Sequence, residues 1–342
     1  MTKQKYIILY TIPVVIAAAV AAYFIFSRSS DAYLSMLPKD ATALARLDVK
    51  ELIDDADLNT TELYQLVTSS NDNPETAPLG IDVQQPIYAF MTASGNVGFA
   101  AHYWTGTPRE GEYEDSVSFH RISPDGEENY PGNLDVTVTY TWNDMCDLII
   151  RYEATTDKPT LCNLTNHTYF NLGGHKHGTV KDHEVAIDAD VITKVDKGLI
   201  PTGDYMPVVG TPLDLRDGLL LEDGLAVYET CPQMIPAGGY DHNFVLRKGE
   251  AMGACASVWH EESGRYMEVL TDQPAIQLYT ACTLDIKGGK EGADYGQYSG
   301  FCLETQHCPD DPNHPNFPGT TILRPGEKYD TTTIYAFRAD DE

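Results

Sequence analysis

Between Leu134 and Trp142 the chain alternates without a break: Leu134, Val136, Val138, Tyr140 and Trp142 are apolar, and Asp135 and three threonines fill the positions between them. Successive residues of a strand point to opposite sides, so this run is suited to a half-buried antiparallel strand with its apolar side on a core. Further segments follow, DLIIRYEATT, EVAIDADVI, NFVLRK, ASVWHE, YMEVLTD, AIQLYTA, GFCLETQ and TTIYAF, separated by Gly, Pro, Asp and Asn clusters. No long helical period interrupts them. Many short strands with turn punctuation predict a mainly β architecture, an antiparallel β-sandwich, from about residue 99 to the end.

The first hundred residues have a different texture. From Tyr6 to Phe26 there are 21 residues without a charge, and at about 1.5 Å per residue such a helix covers a hydrocarbon core of roughly 30 Å. A transmembrane helix is expected there. Lys3 and Lys5 precede it and Arg28 follows, a bias toward a cytoplasmic N-terminus and an exported remainder. Beyond it, DAYLSMLPKDATALARLDVKELIDDADL predicts a short strand feeding an amphipathic helix, and QQPIYAFMTASGNVGFAA two short strands around a turn. The LPKDA and PIYAF…GNVGF elements resemble an uncharacterised family of bacterial cell-envelope proteins, which implies a location and no chemistry. The expected organisation is a membrane anchor at 1–30, a small, partial envelope-type α+β segment at 31–98, and the sandwich at 99–342.

Charge narrows the partners. Asp and Glu number 51 against 23 Lys and Arg, a formal net charge of −28, which repels phosphate backbones and makes nucleic acid an improbable partner. A neutral polyol is not penalised, and aromatic residues supply flat faces for C–H surfaces. The seven cysteines (Cys146, Cys162, Cys231, Cys255, Cys282, Cys302 and Cys308) are odd in number and include no CxxC pair. They read as buried, reduced thiols, which suits a cytoplasmic history for this part of the chain.

The most informative stretch is LCNLTNHTYFNLGGH at 161–175. Three further blocks follow: GGYDHNFVL at 238–246, PAIQLYT at 274–280, and GFCLETQHCPDDPNHPNFP with LRPGEKYDTTTIYAF between 300 and 337. Together, and in this order, they resemble the aldose 1-epimerase (galactose mutarotase) family. The resemblance implies a galactose mutarotase-like sandwich that interconverts the α and β anomers of hexoses such as galactose or glucose, with no cofactor. By motif position, Glu304 matches the family's general base and His167 its general acid, while Asp241 and Gln277 match residues that hydrogen-bond sugar hydroxyls. Anomer exchange passes through ring opening, in which one group takes the proton of the C1 hydroxyl and another protonates the ring oxygen.

The residues themselves carry part of this reading. A period of two puts Cys302, Glu304 and Gln306 on one side of GFCLETQ, opposite Phe301, Leu303 and Thr305. In AIQLYT it puts Gln277 and Tyr279 together, with Ile276 and Leu278 toward the core. Tyr169 and Phe170 read as core rather than as a sugar platform, and Asp241 would also serve as a turn residue after Gly238 and Gly239. Two histidine-containing groups, His175, His177 and His183, and His307, Cys308, Asp310 and His314, contain zinc-type ligands. The first lies in a Gly-rich loop and the second among prolines, without a fixed spacing, so no metal is expected. Asp241 and Glu304 would suit glycoside hydrolysis only at a carboxyl separation of about 5 Å or roughly 6.5–9.5 Å.

The chain departs from the family pattern early. The family's HGG..GF block corresponds to ASGNVGF, which puts Ala93 where its histidine belongs, and no arginine lies between Lys50 and Arg109 to match its early sugar-contacting arginine. The sandwich is therefore expected to lack its N-terminal strands and the enzyme to be weak. The competing expectation is a membrane-anchored carbohydrate-binding or structural envelope protein with little or no turnover.

Overall fold

The computed structural model describes residues 98, 99 and 102–339. The expected membrane helix between Tyr6 and Phe26, Ala93, and all but the last residue of the 31–98 segment lie outside the described residues. Among the described residues no helix is long and apolar enough to cross a membrane.

Two antiparallel sheets carry the fold. The larger has nine strands in the order β1 (Thr105–Glu110), β2 (Glu114–Ser123), β3 (Leu134–Asn143), β4 (Asp147–Thr156), β16 (Tyr329–Ala339), β12 (Arg265–Thr271), β11 (Gly253–His260), β6 (His183–Ile187) and β9 (Leu219–Leu220). The smaller has five: β14 (Cys302–Gln306), β13 (Ala275–Tyr279), β10 (Asp241–Leu246), β7 (Ala189–Val195) and β8 (Pro201–Pro207). A short pair, β5 (Thr160–Leu161) with β15 (Ile322–Leu323), stands apart. Among the described residues an α-helix, Leu221–Ala226, follows β9.

The alternation at 134–142 has the predicted outcome, since Leu134, Val136, Val138, Tyr140 and Trp142 are all buried. They share one core with Ile150, Tyr152, Val258, Val269 and Phe337 of the large sheet and with Phe244, Ile276, Leu278 and Leu303 of the small one. Burial of apolar surface between the two sheets is the main stabilising contribution, at about 25 cal/mol per Å². All seven cysteines are buried and free.

Two features differ from expectation. EVAIDADVI is not one strand. It breaks at Asp188, whose backbone N–H donates to Cys255 O at 2.9 Å and whose carboxylate accepts from Arg247 at 2.6 Å, so that β6 joins the large sheet and β7 the small one. The β1–β2 hairpin is not among the segments read as strands from the sequence, because its charged residues hide the alternation. Exposed β1 forms one edge of the large sheet, and Pro108, Arg109 and Glu110 blunt it against pairing with another chain.

Candidate active site

The five-stranded sheet brings together residues far apart in sequence. Register pairs Asn243 with Gln277 and Gln277 with Glu304; one row along, Asp241 pairs with Tyr279 and Tyr279 with Cys302. Directly paired residues share a side, and so do residues two apart along a strand. All six therefore lie on the same side of the sheet, away from Ile276, Leu278 and Leu303 in the core.

The approach to β10 depends on glycine. Gly239 has φ 155, and a Cβ there would sit 2.8 Å from Cys282 Sγ and 3.0 Å from Leu225 Cδ2. Tyr240, fully buried with its hydroxyl donating to Pro212 O at 2.7 Å, then fixes the chain as Asp241 opens the strand. Asp241 is thus the first residue of β10 and not merely part of the turn.

His167 arrives from outside the sheet. In the small sheet β14 is an edge strand, and residues 163–170 run along its open side. Phe170 and Phe301 exchange backbone hydrogen bonds of 2.8 and 3.0 Å. At the other end Asn163 donates to His307 O at 3.0 Å and accepts from His307 N at 3.0 Å. Between these ties, Asn166 donates to Tyr335 Oη at 2.9 Å, and Tyr335 in turn donates to Leu303 O at 2.7 Å. Pinned in this way, His167 faces the strand, with Nε2 3.6 Å from Glu304 Oε1 and Nδ1 3.2 Å from Cys302 Sγ.

Rings surround the pair. The His167 ring lies 4.9 Å from that of Tyr169 and 5.8 Å from that of Tyr279, and the two tyrosines are 6.2 Å apart. The core expectation therefore holds for Phe170, which packs on Phe301, Tyr335 and Phe337, and is corrected for Tyr169. Adjacent positions on an extended segment point to opposite sides, and Phe170 takes the inner one.

Burial sets the electrostatics. It raises the Glu304 carboxyl to about 8, with the negative Asp241 adding to the effect. Burial also raises Asp241, opposed by the Gln277 amide that donates to its Oδ1 at 2.6 Å. For His167 burial acts in the opposite direction and lowers it, because the charged form of a base is its cation. Glu304 nevertheless keeps 12% of its side-chain surface exposed and His167 28%, so both can be reached. Gln277 Oε1 is buried with no hydrogen-bond partner, an acceptor suited to a hydroxyl donor.

All four residues singled out from the sequence, His167, Glu304, Asp241 and Gln277, thus converge. What the sequence did not reveal is the support behind them, Asn163, Asn166 and Tyr335, and the ring of Tyr169. The second histidine-containing group does not converge on one point: His307 pairs with Glu250 at 3.4 Å, His314 with Asp310 at 3.1 Å, and Cys308 Sγ receives Asn243 at 3.2 Å.

A sandwich with an imidazole, two carboxyls and a carboxamide on one sheet side, beside aromatic rings, has the composition of an acid–base site for a small polyol. The sequence profile described as Aldose 1-epimerase matches residues 94–336, and the chain belongs to that family. It is similar to the galactose mutarotase of Homo sapiens, 48% identical over 241 residues, covering 70% of this chain and 67% of that one. The aldose 1-epimerase of Escherichia coli K12 is 37% identical over 226 residues, 66% of this chain and 64% of that one. Among solved structures, an aldose epimerase homologue from C. elegans matches with TM-score 0.63 and 33% identity over 72% of each chain. Galactose 1-epimerase from Lactobacillus acidophilus matches with TM-score 0.61 and 28% identity over 71% of this chain and 69% of that one.

Proposed function

We propose that this chain interconverts the α and β anomers of a hexose such as galactose or glucose, with Glu304 as base, His167 as acid, and Asp241 and Gln277 holding sugar hydroxyls. The observation that carries this reading is the 3.6 Å approach of His167 Nε2 to Glu304 Oε1, made by two segments tied together at both ends.

The pair needs one proton between them. With the proton on His167, Glu304 takes the C1 hydroxyl proton while His167 delivers its own to the ring oxygen, the C1–O bond breaks, and the open aldehyde forms. Rotation about C1–C2 turns the other face of the carbonyl to the C5 hydroxyl. His167 then takes the proton of that hydroxyl as its oxygen attacks C1, and Glu304 returns its proton to the carbonyl oxygen. The dry surroundings favour both groups uncharged, which is the arrangement the ring-opened sugar leaves behind. In the empty site the shared proton therefore rests on Glu304, and it passes to His167, 3.6 Å away, before the ring opens.

The test is mutarotation of freshly dissolved α-D-galactose and α-D-glucose, followed by polarimetry. Glu304→Gln and His167→Ala should each lower kcat by about 10²–10⁴-fold, the usual contribution of a positioned acid or base, while sugar binding by calorimetry survives in Glu304→Gln. Parent-like turnover in both variants would refute the assignment. A parent chain that binds hexose without turning it over would favour a carbohydrate-binding protein instead. Because Ala93 stands at the family's histidine position and no early arginine is matched, the rate is expected to rise when residues 1–98 are replaced by a complete family N-terminus.

A further inference from the structure

A second cluster of donor side chains lies outside the sugar site. His177, Asp182, His260 and Glu262 each offer one ligand atom, all within 4.8 Å of one another. His177 and Asp182 sit on the loop that leads from the His167 segment into β6. His260 ends β11, and Glu262 lies in the turn to β12. The rings of His177 and His260 are 4.7 Å apart, and those of His183 and His260 4.6 Å.

The hydrogen bonds assign distinct roles to these groups. His183 Nε2 accepts the backbone N–H of Leu172 at 2.9 Å, so its proton is on Nδ1, which donates to Asp182 Oδ1 at 3.0 Å. That leaves Asp182 Oδ2 facing two imidazole nitrogens, His177 Nε2 at 2.6 Å and His260 Nε2 at 3.4 Å. Behind His260, Nδ1 lies 2.7 Å from Ser263 Oγ, whose hydroxyl reaches Leu172 O at 3.1 Å. An oriented carboxylate with two imidazoles on one of its oxygens, of which His260 is held from behind by Ser263, has part of the outer support typical of ligated histidines.

We propose that His177, Asp182 and His260, with Glu262 as the fourth donor, bind a divalent transition-metal ion of the zinc type. Two nitrogens and two carboxylate oxygens suit Zn²⁺ or Co²⁺. The ion takes the place of the proton held between His177 Nε2 and Asp182 Oδ2; the neutral ring carries that proton on Nδ1 instead and turns its Nε2 lone pair to the metal. Nε2 and Asp182 Oδ2 part to about 3.3 Å, the edge of a tetrahedron with bonds of about 2.0–2.1 Å, and His177 can supply the movement because it is on a loop and only partly buried. His183 stays outside the ligand set and aims Asp182. His175 takes no part, since its ring nitrogens lie 2.9 Å from Tyr295 Oη and 3.5 Å from Glu291. The sequence grouped His177 with His175 and His183, and pointed neither to Asp182 nor to His260 and Glu262 about 80 residues further on. A bound ion ties the loop after His167 to the β11–β12 turn, stapling the segment that delivers His167.

The full-length chain, stripped of metal, is titrated with Co²⁺ and then Zn²⁺ in competition with a chromophoric chelator. One equivalent should bind, giving the visible bands of four-coordinate Co²⁺, which Zn²⁺ removes. His177→Gln and Asp182→Asn should each weaken binding at least about tenfold and abolish the bands. His120→Gln, at an exposed histidine paired with Asp135 on the β2–β3 face, should leave both unchanged. If His260→Gln does not fold, the two loop variants still decide the matter. Uptake that does not saturate at one equivalent, or that is unaffected by His177→Gln and Asp182→Asn, overturns the proposal.

Discussion

Asn163 closes both hydrogen bonds of its carboxamide on the backbone of His307, donating at 3.0 Å and accepting at 3.0 Å. This clamp and the Phe170–Phe301 bridge hold the intervening residues against β14, and His167 is among them. Asn163→Ala should therefore reduce kcat by about tenfold, the effect expected when a reacting group loses its placement, with KM little changed and a lower Tm. Asn163→Asp keeps the acceptor and should recover part of both. Steady-state kinetics and a thermal melt of the two variants measure this, and a change confined to KM would count against a positioning role.

The pH dependence of stability follows from Glu304. Its carboxyl, ordinarily near 4.5, is held at about 8 in the folded protein, first by burial and then by Asp241. Between these values the folded chain keeps a proton that the unfolded chain has released, so stability falls as pH rises through the window and the penalty is full above about 8. Glu304→Gln cannot ionise. Its Tm should match or trail that of the parent below pH 4.5 and overtake it toward pH 8, by about 2–4 °C if one kcal/mol is recovered. Calorimetry across that range checks the crossing, and parallel curves would mean that Glu304 is not held protonated.

The same pair shapes the rate profile. Turnover by the proposed mechanism needs one shared proton, and burial lowers His167 while Glu304 stands at about 8. Activity should decline on the acid side as the pair gains a second proton, below the ordinary histidine value of about 6.5, and on the alkaline side near 8 as it loses its last. A profile of kcat/KM against pH reports both limbs.

Gln277 offers a different readout. Its Nε2 serves Asp241 and its Oε1 is buried without a partner. Gln277→Leu should raise KM for a hexose by about threefold to tenfold, the value of one hydrogen bond of about 0.5–1.5 kcal/mol, and leave kcat nearly unchanged. Titration calorimetry with galactose should show the same loss in Kd.

We further propose that the chain is held at a membrane, on the strength of the 21 uncharged residues from Tyr6 to Phe26. The full-length protein should sediment with membranes and resist extraction by high salt, and deletion of residues 1–30 should release it. Full-length, uncleaved chain in the soluble fraction would refute this.

Much of the site was legible because its chemistry sits in contiguous motifs. The alternation in AIQLYT and GFCLETQ put Gln277 and Glu304 on the side opposite the core, and register then sets them directly opposite each other. What stayed hidden depends on pairings across long separations. Tyr335 reaches Asn166 across 169 residues, and nothing in either local sequence announces the other. Asp188, too, reads as a polar position within a strand until Arg247 and the Cys255 carbonyl turn the chain between two sheets.

The segment that carries His167 also covers the open side of β14, and this joins two fates. An uncovered edge strand presents unpaired N–H and C=O groups to other chains. If residues 163–170 come away, the protein loses its imidazole and gains an adhesive margin in a single event. Inactivation and self-association on heating then share one threshold, and a sugar that spans His167 and Glu304 guards against both.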